Sequence, residues 1–153
     1  MLKIEQVLRD ENGENVLNDY FDSIIIKADS IIVKKNNLYG IYNLHTFKKI
    51  LDCEWDKVIF DTNYILAYKY SQIAVFDCEG TKILNPEWDK VVLYEKGILT
   101  TKNGAQGFFK YDGTTILECV WKRIEPYANV ILAYRGEGAK RILYNYEGNV
   151  IEG

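Results

Sequence analysis

Apolar positions in this chain neither alternate strictly nor recur at helical spacing. Ile24-Ile25-Ile26, Ile31-Ile32-Val33 and Val91-Val92-Leu93 are continuous apolar runs. Each is too short for a convincing helix, and such runs suit strands covered on both faces. Turn residues punctuate them: Asp61-Thr62-Asn63, Glu79-Gly80, Asp112-Gly113, Glu147-Gly148 and, near the start, Asn12-Gly13. Acidic-Gly and Asn-Gly pairs fit type I′ hairpin turns, in which both central residues take positive φ. Leu2, Ile4, Val7 and Leu8 fall loosely on one side of a helix drawn through Met1–Glu11. Alignment overrules that helix, because Val7-Leu8 matches Val75-Phe76 and Val16-Leu17 matches Ile83-Leu84.

These matches belong to a repeat. Leu51-Asp52-Cys53-Glu54-Trp55-Asp56-Lys57-Val58-Ile59 returns from Leu84 to Val92, again from Leu117 to Glu125, and in worn form from Leu17 to Ile25. The marker aromatics Phe21, Trp55, Trp88 and Trp121 lie 34, 33 and 33 residues apart. A fixed period of this size marks a repeat architecture. The pattern predicts an all-β tandem repeat of four units of about 33 residues, each with three strands, after an N-terminal half. The boundaries are a half-repeat over 1–16, then repeats over 17–50, 51–83, 84–116 and 117–153, in one domain of twelve to fourteen short strands. The first repeat carries Leu44-His45-Thr46, one residue longer, where later ones have a Gly turn. The fourth gains about two residues in Gly136-Glu137-Gly138-Ala139-Lys140. The surplus N-terminal half favours an open curved array with a capped first edge; the alternative is a closed four-bladed, propeller-like ring.

A run of Gly, two apolar residues, Asp or Asn, a Gly turn and then aromatic-Asp-x-apolar resembles the bacterial WG-repeat (KWG) family. Gly40-Ile41-Tyr42-Asn43 and Gly107-Phe108-Phe109, the latter followed by Asp112-Gly113, carry one half of it. Phe21-Asp22-Ser23-Ile24, Trp55-Asp56-Lys57-Val58 and Trp88-Asp89-Lys90-Val91 carry the other. The naming Trp-Gly pair is absent: Tyr39-Gly40 and Gln106-Gly107 stand there, and Ala74 replaces the second repeat's glycine. The resemblance covers nearly the whole chain and implies a β-repeat fold without a common catalytic residue.

Composition narrows the partner classes. The 153 residues carry a formal net charge of −3, so no nucleic-acid partner is expected, since that class usually shows a basic footprint. No apolar run approaches the roughly 20 residues of a membrane span, and the N-terminus lacks a signal-peptide pattern. Cys53, Cys78 and Cys119 form no CxxC pair, and Cys53 and Cys119 share a repeat position and read as small buried side chains in equivalent pockets. A reducing, cytoplasmic setting follows.

Three columns of side chains and a set of tyrosines bear on chemistry. Phe21, Trp55, Trp88 and Trp121 read as buried pegs rather than stacking platforms. Lys35, Lys69, Lys102 and Arg135 follow the central strand in all four repeats and form a basic column able to meet an acidic partner or anionic ligand. Asp22, Asp56 and Asp89 follow the aromatics, with Lys122 in the fourth repeat. They read as turn caps or lysine partners, and no metal or cofactor is expected. Tyr68 and Tyr134 share a register, and with Tyr70 they offer aromatic contacts on a face expected to meet water. The lone His45 and three serines lie outside any nucleophile or phosphate-loop pattern, so no catalytic residue is assigned. The expected function is non-catalytic binding, with a protein as partner, of inhibitor or immunity type. The alternative is a small-ligand binder for an anionic metabolite or a carbohydrate.

Overall fold

A computed structural model describes residues 6–153 and shows sixteen β-strands and no helix among them; the expectations for Met1–Glu5 lie outside these residues. The strands are β1 (Ser23–Lys27), β2 (Ser30–Lys35), β3 (Leu38–Asn43), β4 (Lys49–Trp55), β5 (Lys57–Asp61), β6 (Tyr64–Lys69), β7 (Gln72–Asp77) and β8 (Lys82–Trp88). The second half repeats the scheme as β9 (Lys90–Tyr94), β10 (Gly97–Lys102), β11 (Ala105–Phe109), β12 (Thr115–Trp121), β13 (Arg123–Pro126), β14 (Ile131–Tyr134), β15 (Ile142–Tyr144) and β16 (Val150–Glu152). Each run of four consecutive strands forms its own sheet in chain order.

This corrects the expected three-stranded unit. The segment after each Gly turn, read from sequence as a lead-in to the next Trp, is itself a paired strand with the Trp as its last residue. In the first sheet Tyr39 pairs with Trp55 and Ile41 with Leu51, and in the third Gln106 pairs with Trp121 and Phe108 with Leu117. The register shifts between these pairs, which marks β-bulges. A bulge breaks the period-2 pattern, which is why this strand looked irregular in sequence. The residues before Ser23 follow the same scheme. Gln6 bridges Phe21, Arg9 bridges Asn15, and the Val16 N–H donates to the Leu8 carbonyl at 2.9 Å.

A second correction concerns the apolar runs. Ile31 and Val33 on β2 are fully buried, but Ile25 and Ile26 on β1 are each 53% exposed. β1 lies at the edge of its sheet, and because adjacent strand residues point to opposite faces, the exposure of both shows that neither face is fully covered there.

The chain divides into two compact units. One holds the described residues up to Tyr70 with Phe76–Lys82, the other Ser71–Val75 with Ile83–Gly153. The first has a core of Leu17, Phe21, Ile31, Val33 and Tyr42, against which Leu8, Val16, Ile24, Leu44 and Cys53 pack. The second is centred on Leu99, Phe108, Leu117, Trp121, Ile124 and Ile131. The repeat aromatics Phe21, Trp55, Trp88 and Trp121 are all buried. Each meets a second ring from its own sheet or the next: Phe21 with Tyr42 at 5.9 Å, Trp55 with Phe76 at 5.4 Å, Trp88 with Phe109 at 5.2 Å and Trp121 with Tyr144 at 5.7 Å. Edge-on and tilted pairs at such distances add to the burial energy.

Successive repeats are also keyed through a turn. Gly80, Gly113 and Gly148 have φ of +91°, +89° and +84°, whereas Glu79, Asp112 and Glu147 before them are not at positive φ, so these turns are not the expected type I′. A Cβ on these glycines would stand 2.4, 2.8 and 2.9 Å from the carbonyl oxygens of Ile50, Ile83 and Ile116, respectively, on the last strand of the preceding sheet. Backbone conformation and space both demand glycine there.

Candidate functional site

One residue separates each sheet from the next: Asp56 lies between β4 and β5, Asp89 between β8 and β9, and Lys122 between β12 and β13. Asp22 holds the matching place before β1. The backbone N–H of all four donates to an equivalent carbonyl, of Lys34, Tyr68, Thr101 and Tyr134 respectively, at 2.8–2.9 Å. The side chains then diverge. Carboxylates of Asp22, Asp56 and Asp89 accept the N–H of Asn36, Tyr70 and Asn103 at 2.8, 2.8 and 2.9 Å. Those three residues have φ of +54°, +51° and +51° and open the turn after the central strand. Asn tolerates this left-handed conformation, whereas Tyr pays a steric cost of about 1–2 kcal/mol. Each aspartate thus fixes a turn that would otherwise be strained or loose.

The basic column is committed to the aromatic column. Lys35 lies 5.8 Å from the Phe21 ring centre, Lys69 5.6 Å from Trp55, Lys102 5.9 Å from Trp88 and Arg135 4.5 Å from Trp121. Each cation therefore roofs the peg of its own repeat, a contact worth roughly 0.5–1 kcal/mol where water still reaches it. Acids engage two of them: Lys35 pairs with Asp19 at 2.7 Å and Lys102 with Glu87 at 3.8 Å. The Lys35 hydrogen bond holds the Asp19 carboxyl below the ordinary carboxylate range. Beneath the cations, the indole N–H groups of Trp55 and Trp88 are buried without an acceptor.

The structure revises the face assigned to Tyr68 and Tyr134. Both are half-buried rather than open to water, since Lys57 lies 5.2 Å from the Tyr68 ring centre and Arg123 4.2 Å from that of Tyr134. The cover follows from register: Lys57 and Tyr68 are cross-strand partners, as are Arg123 and Tyr134. Tyr70 is different, being 85% exposed.

Two further features went unread in sequence. Gly40 and Gly107 pack on the bulged strand, where an added Cβ would come within 3.0–3.1 Å of Cys119 backbone and side-chain atoms at Gly107 and closer to Cys53 at Gly40. Cys53 and Cys119 are half-buried rather than fully buried, and this burial pushes their thiols up, while Cys78 is exposed. The second is a cavity of about 520 Å³ in the fourth repeat, lined by Gln106, Lys122, Arg123, Tyr134 and the loop from Gly136 to Ala139. Its two signals, the break in the Asp column and the lengthened loop, are both visible in sequence, but nothing there shows that they meet. His45 sits in an exposed turn, with Nε2 3.0 Å from Asp29 Oδ1.

No family model matches the chain, and no curated protein matches its sequence. Solved structures resemble it in part. Hsv2 of Kluyveromyces lactis is 16% identical with a TM-score of 0.40, over 76% of this chain and 42% of that one. The N-terminal domain of Nup159 is 8% identical with a TM-score of 0.40, over 86% and 44%. PorZ, a surface component of the type-IX secretion system of Porphyromonas gingivalis, is 12% identical with a TM-score of 0.33, over 85% and 21%. Hsv2 and Nup159 are β-propellers. This chain spans less than half the length of each of the three.

Proposed function

We propose that this chain is a non-catalytic binding module of the WG-repeat kind, acting in a reducing cytoplasmic setting with another protein as its partner. The observation that carries the reading is Tyr70. A large aromatic ring stands 85% exposed at a left-handed turn position, and its backbone is held there by Asp56. The matching residues Asn36 and Asn103 are small and polar. A tyrosine whose backbone is held and whose ring stands in water at such a site suits a contact anchor, since Tyr adds much area for little lost side-chain freedom. Nearby, Lys57 lies over the Tyr68 ring and Lys69 over the Trp55 ring, and Asp56 spends its carboxylate on the turn, so this side of the repeat favours an acidic surface.

The test is a photo-cross-linking residue in place of Tyr70, expressed in the native host, with a second placed at exposed Lys82 as control. A discrete protein adduct is expected at position 70 only, reduced at least severalfold when Tyr68→Ala or Lys57→Gln is added and the circular dichroism spectrum is unchanged. No discrete adduct at position 70, or one indifferent to both substitutions, overturns the reading. A small anionic ligand is the second reading, and the fourth repeat favours it for reasons of its own.

A further inference from the structure

The fourth repeat departs from the other three at linked places, and each departure removes negative charge or opens space. Lys122 replaces the capping aspartate, a local change of two charge units, and it is exposed. Val120, 56% exposed, stands where Glu54 and Glu87 stand, so Arg135 lacks the acid that Lys102 finds in Glu87. With no carboxylate to cap it, the turn after β14 is replaced by a longer loop closed by an Ala139 N–H to Gly136 carbonyl bond of 3.2 Å. The cavity of about 520 Å³ lies beneath this loop. A second cavity of about 350 Å³ shares Tyr134 and Ala139 with it and adds Lys140 and Arg141 together with the carboxylate of Glu152.

The donors facing this space are held in advance. The Arg123 guanidinium lies 4.2 Å from the Tyr134 ring centre, and its Nε pairs with Glu125 Oε1 at 3.0 Å. Anchoring through Nε leaves the Nη amino groups of the fork for a planar anion. Gln106 Oε1 accepts the Ile124 N–H at 2.7 Å, which fixes the amide and leaves its NH₂ end as a donor. Glu137 is the one carboxylate among the lining residues, set against Lys122 and Arg123. The volume falls in the roughly 300–1,000 Å³ range of small-molecule sites.

We propose that this cavity binds a small multivalent anion, a phosphate- or carboxylate-bearing molecule held by Lys122, Arg123 and the Gln106 amide. The site lies in the second compact unit, whereas Tyr70 lies in the first, so neither reading depends on the other. Isothermal titration calorimetry at low salt, with tripolyphosphate and citrate as separate probes, tests it. Saturable one-site binding of at least one probe is expected, and which one binds tells phosphate from carboxylate chemistry. Lys122→Asp restores the residue of the other three repeats and is therefore expected to fold. It should weaken binding about tenfold or more, as should Arg123→Gln, because each removes a charge-assisted contact. Lys48→Gln, at an exposed lysine of the other unit, should leave the affinity within twofold. The proposal is overturned if neither probe binds the unaltered chain, if Lys122→Asp binds as tightly as the parent, or if Lys48→Gln costs as much as Lys122→Asp.

Discussion

The second and fourth repeats share one backbone plan and differ in what their loops are for. In both, a tryptophan ends the fourth strand, a cation roofs it, and the next N–H closes onto the carbonyl of Tyr68 or Tyr134. In the second repeat Asp56 then caps a tight turn and presents Tyr70. In the fourth, Lys122 caps nothing, and a longer loop covers a basic cavity. One substitution at the link between sheets thus goes with a change from a projecting aromatic ring to a recess. The lesson is that the repeat's core and its display surface are separable, since the peg and its cation persist while the cap is lost.

Truncating the pegs should expose the shared part most strongly. Trp88→Ala and Trp121→Ala should each lower stability by about 3–5 kcal/mol, as large aromatic deletions in cores do. Trp88 should fall at the low end, because its indole N–H is buried without a partner and its loss is no penalty. Urea unfolding followed by circular dichroism measures both, and a cost near zero for either would break the claim of a common core.

The caps give the next largest effect and the sharpest contrast. Asp56→Ala should cost about 1–2 kcal/mol, because it frees a turn N–H and unlocks a tyrosine held at positive φ. Lys122→Ala should stay within about 0.5 kcal/mol, as exposed surface changes usually do. Tyr70→Gly in the Asp56→Ala background should recover part of the loss by removing the steric strain. Equal costs for Asp56→Ala and Lys122→Ala would erase the distinction drawn between the two loops.

The smallest effect is electrostatic and belongs to the first repeat alone. The folded-state pKa of Asp19 is depressed by Lys35, so its contribution is present above the unfolded value of 3.8 and is lost as pH falls through the lower folded value. Both partners are more than a third exposed, which limits the effect to a few tenths of a kcal/mol. The difference in melting temperature between the parent and Asp19→Asn should therefore shrink steadily as pH is lowered below 4. A difference that widens there would reverse the sign of the argument.

Much of the framework was legible because repetition multiplies weak signals. Spacing of the aromatics, the extra residue at Leu44-His45-Thr46 and the lengthened loop after Arg135 could all be read by laying copies side by side. The fourth strand was not legible, because a bulge next to Gly40 and Gly107 breaks the alternation on which strand recognition depends. Exposure of Ile25 and Ile26 was hidden for a different reason: an edge position is a property of the sheet, and nothing local to Ile24-Ile25-Ile26 records it. The basic column was found but its role was not, since a lysine above an indole and a lysine awaiting a ligand look alike in one dimension. The aspartates were seen, and the turn N–H that each one holds, 14 residues on, was not paired with them.

The glycine turns that press on the strand before them carry a consequence for how such a chain grows. Gly80, Gly113 and Gly148 each fit against the carbonyl of a residue about thirty positions earlier, in the neighbouring copy. A duplicated unit inserted in frame therefore arrives with both halves of the joint, its own turn for the copy upstream and its own isoleucine for the copy downstream. Loops such as the one after Arg135 lie off this joint and are free to diverge. Lineages built this way can lengthen by whole copies and diversify by loops, and a change at the turn glycine would be felt in the adjacent copy rather than in its own.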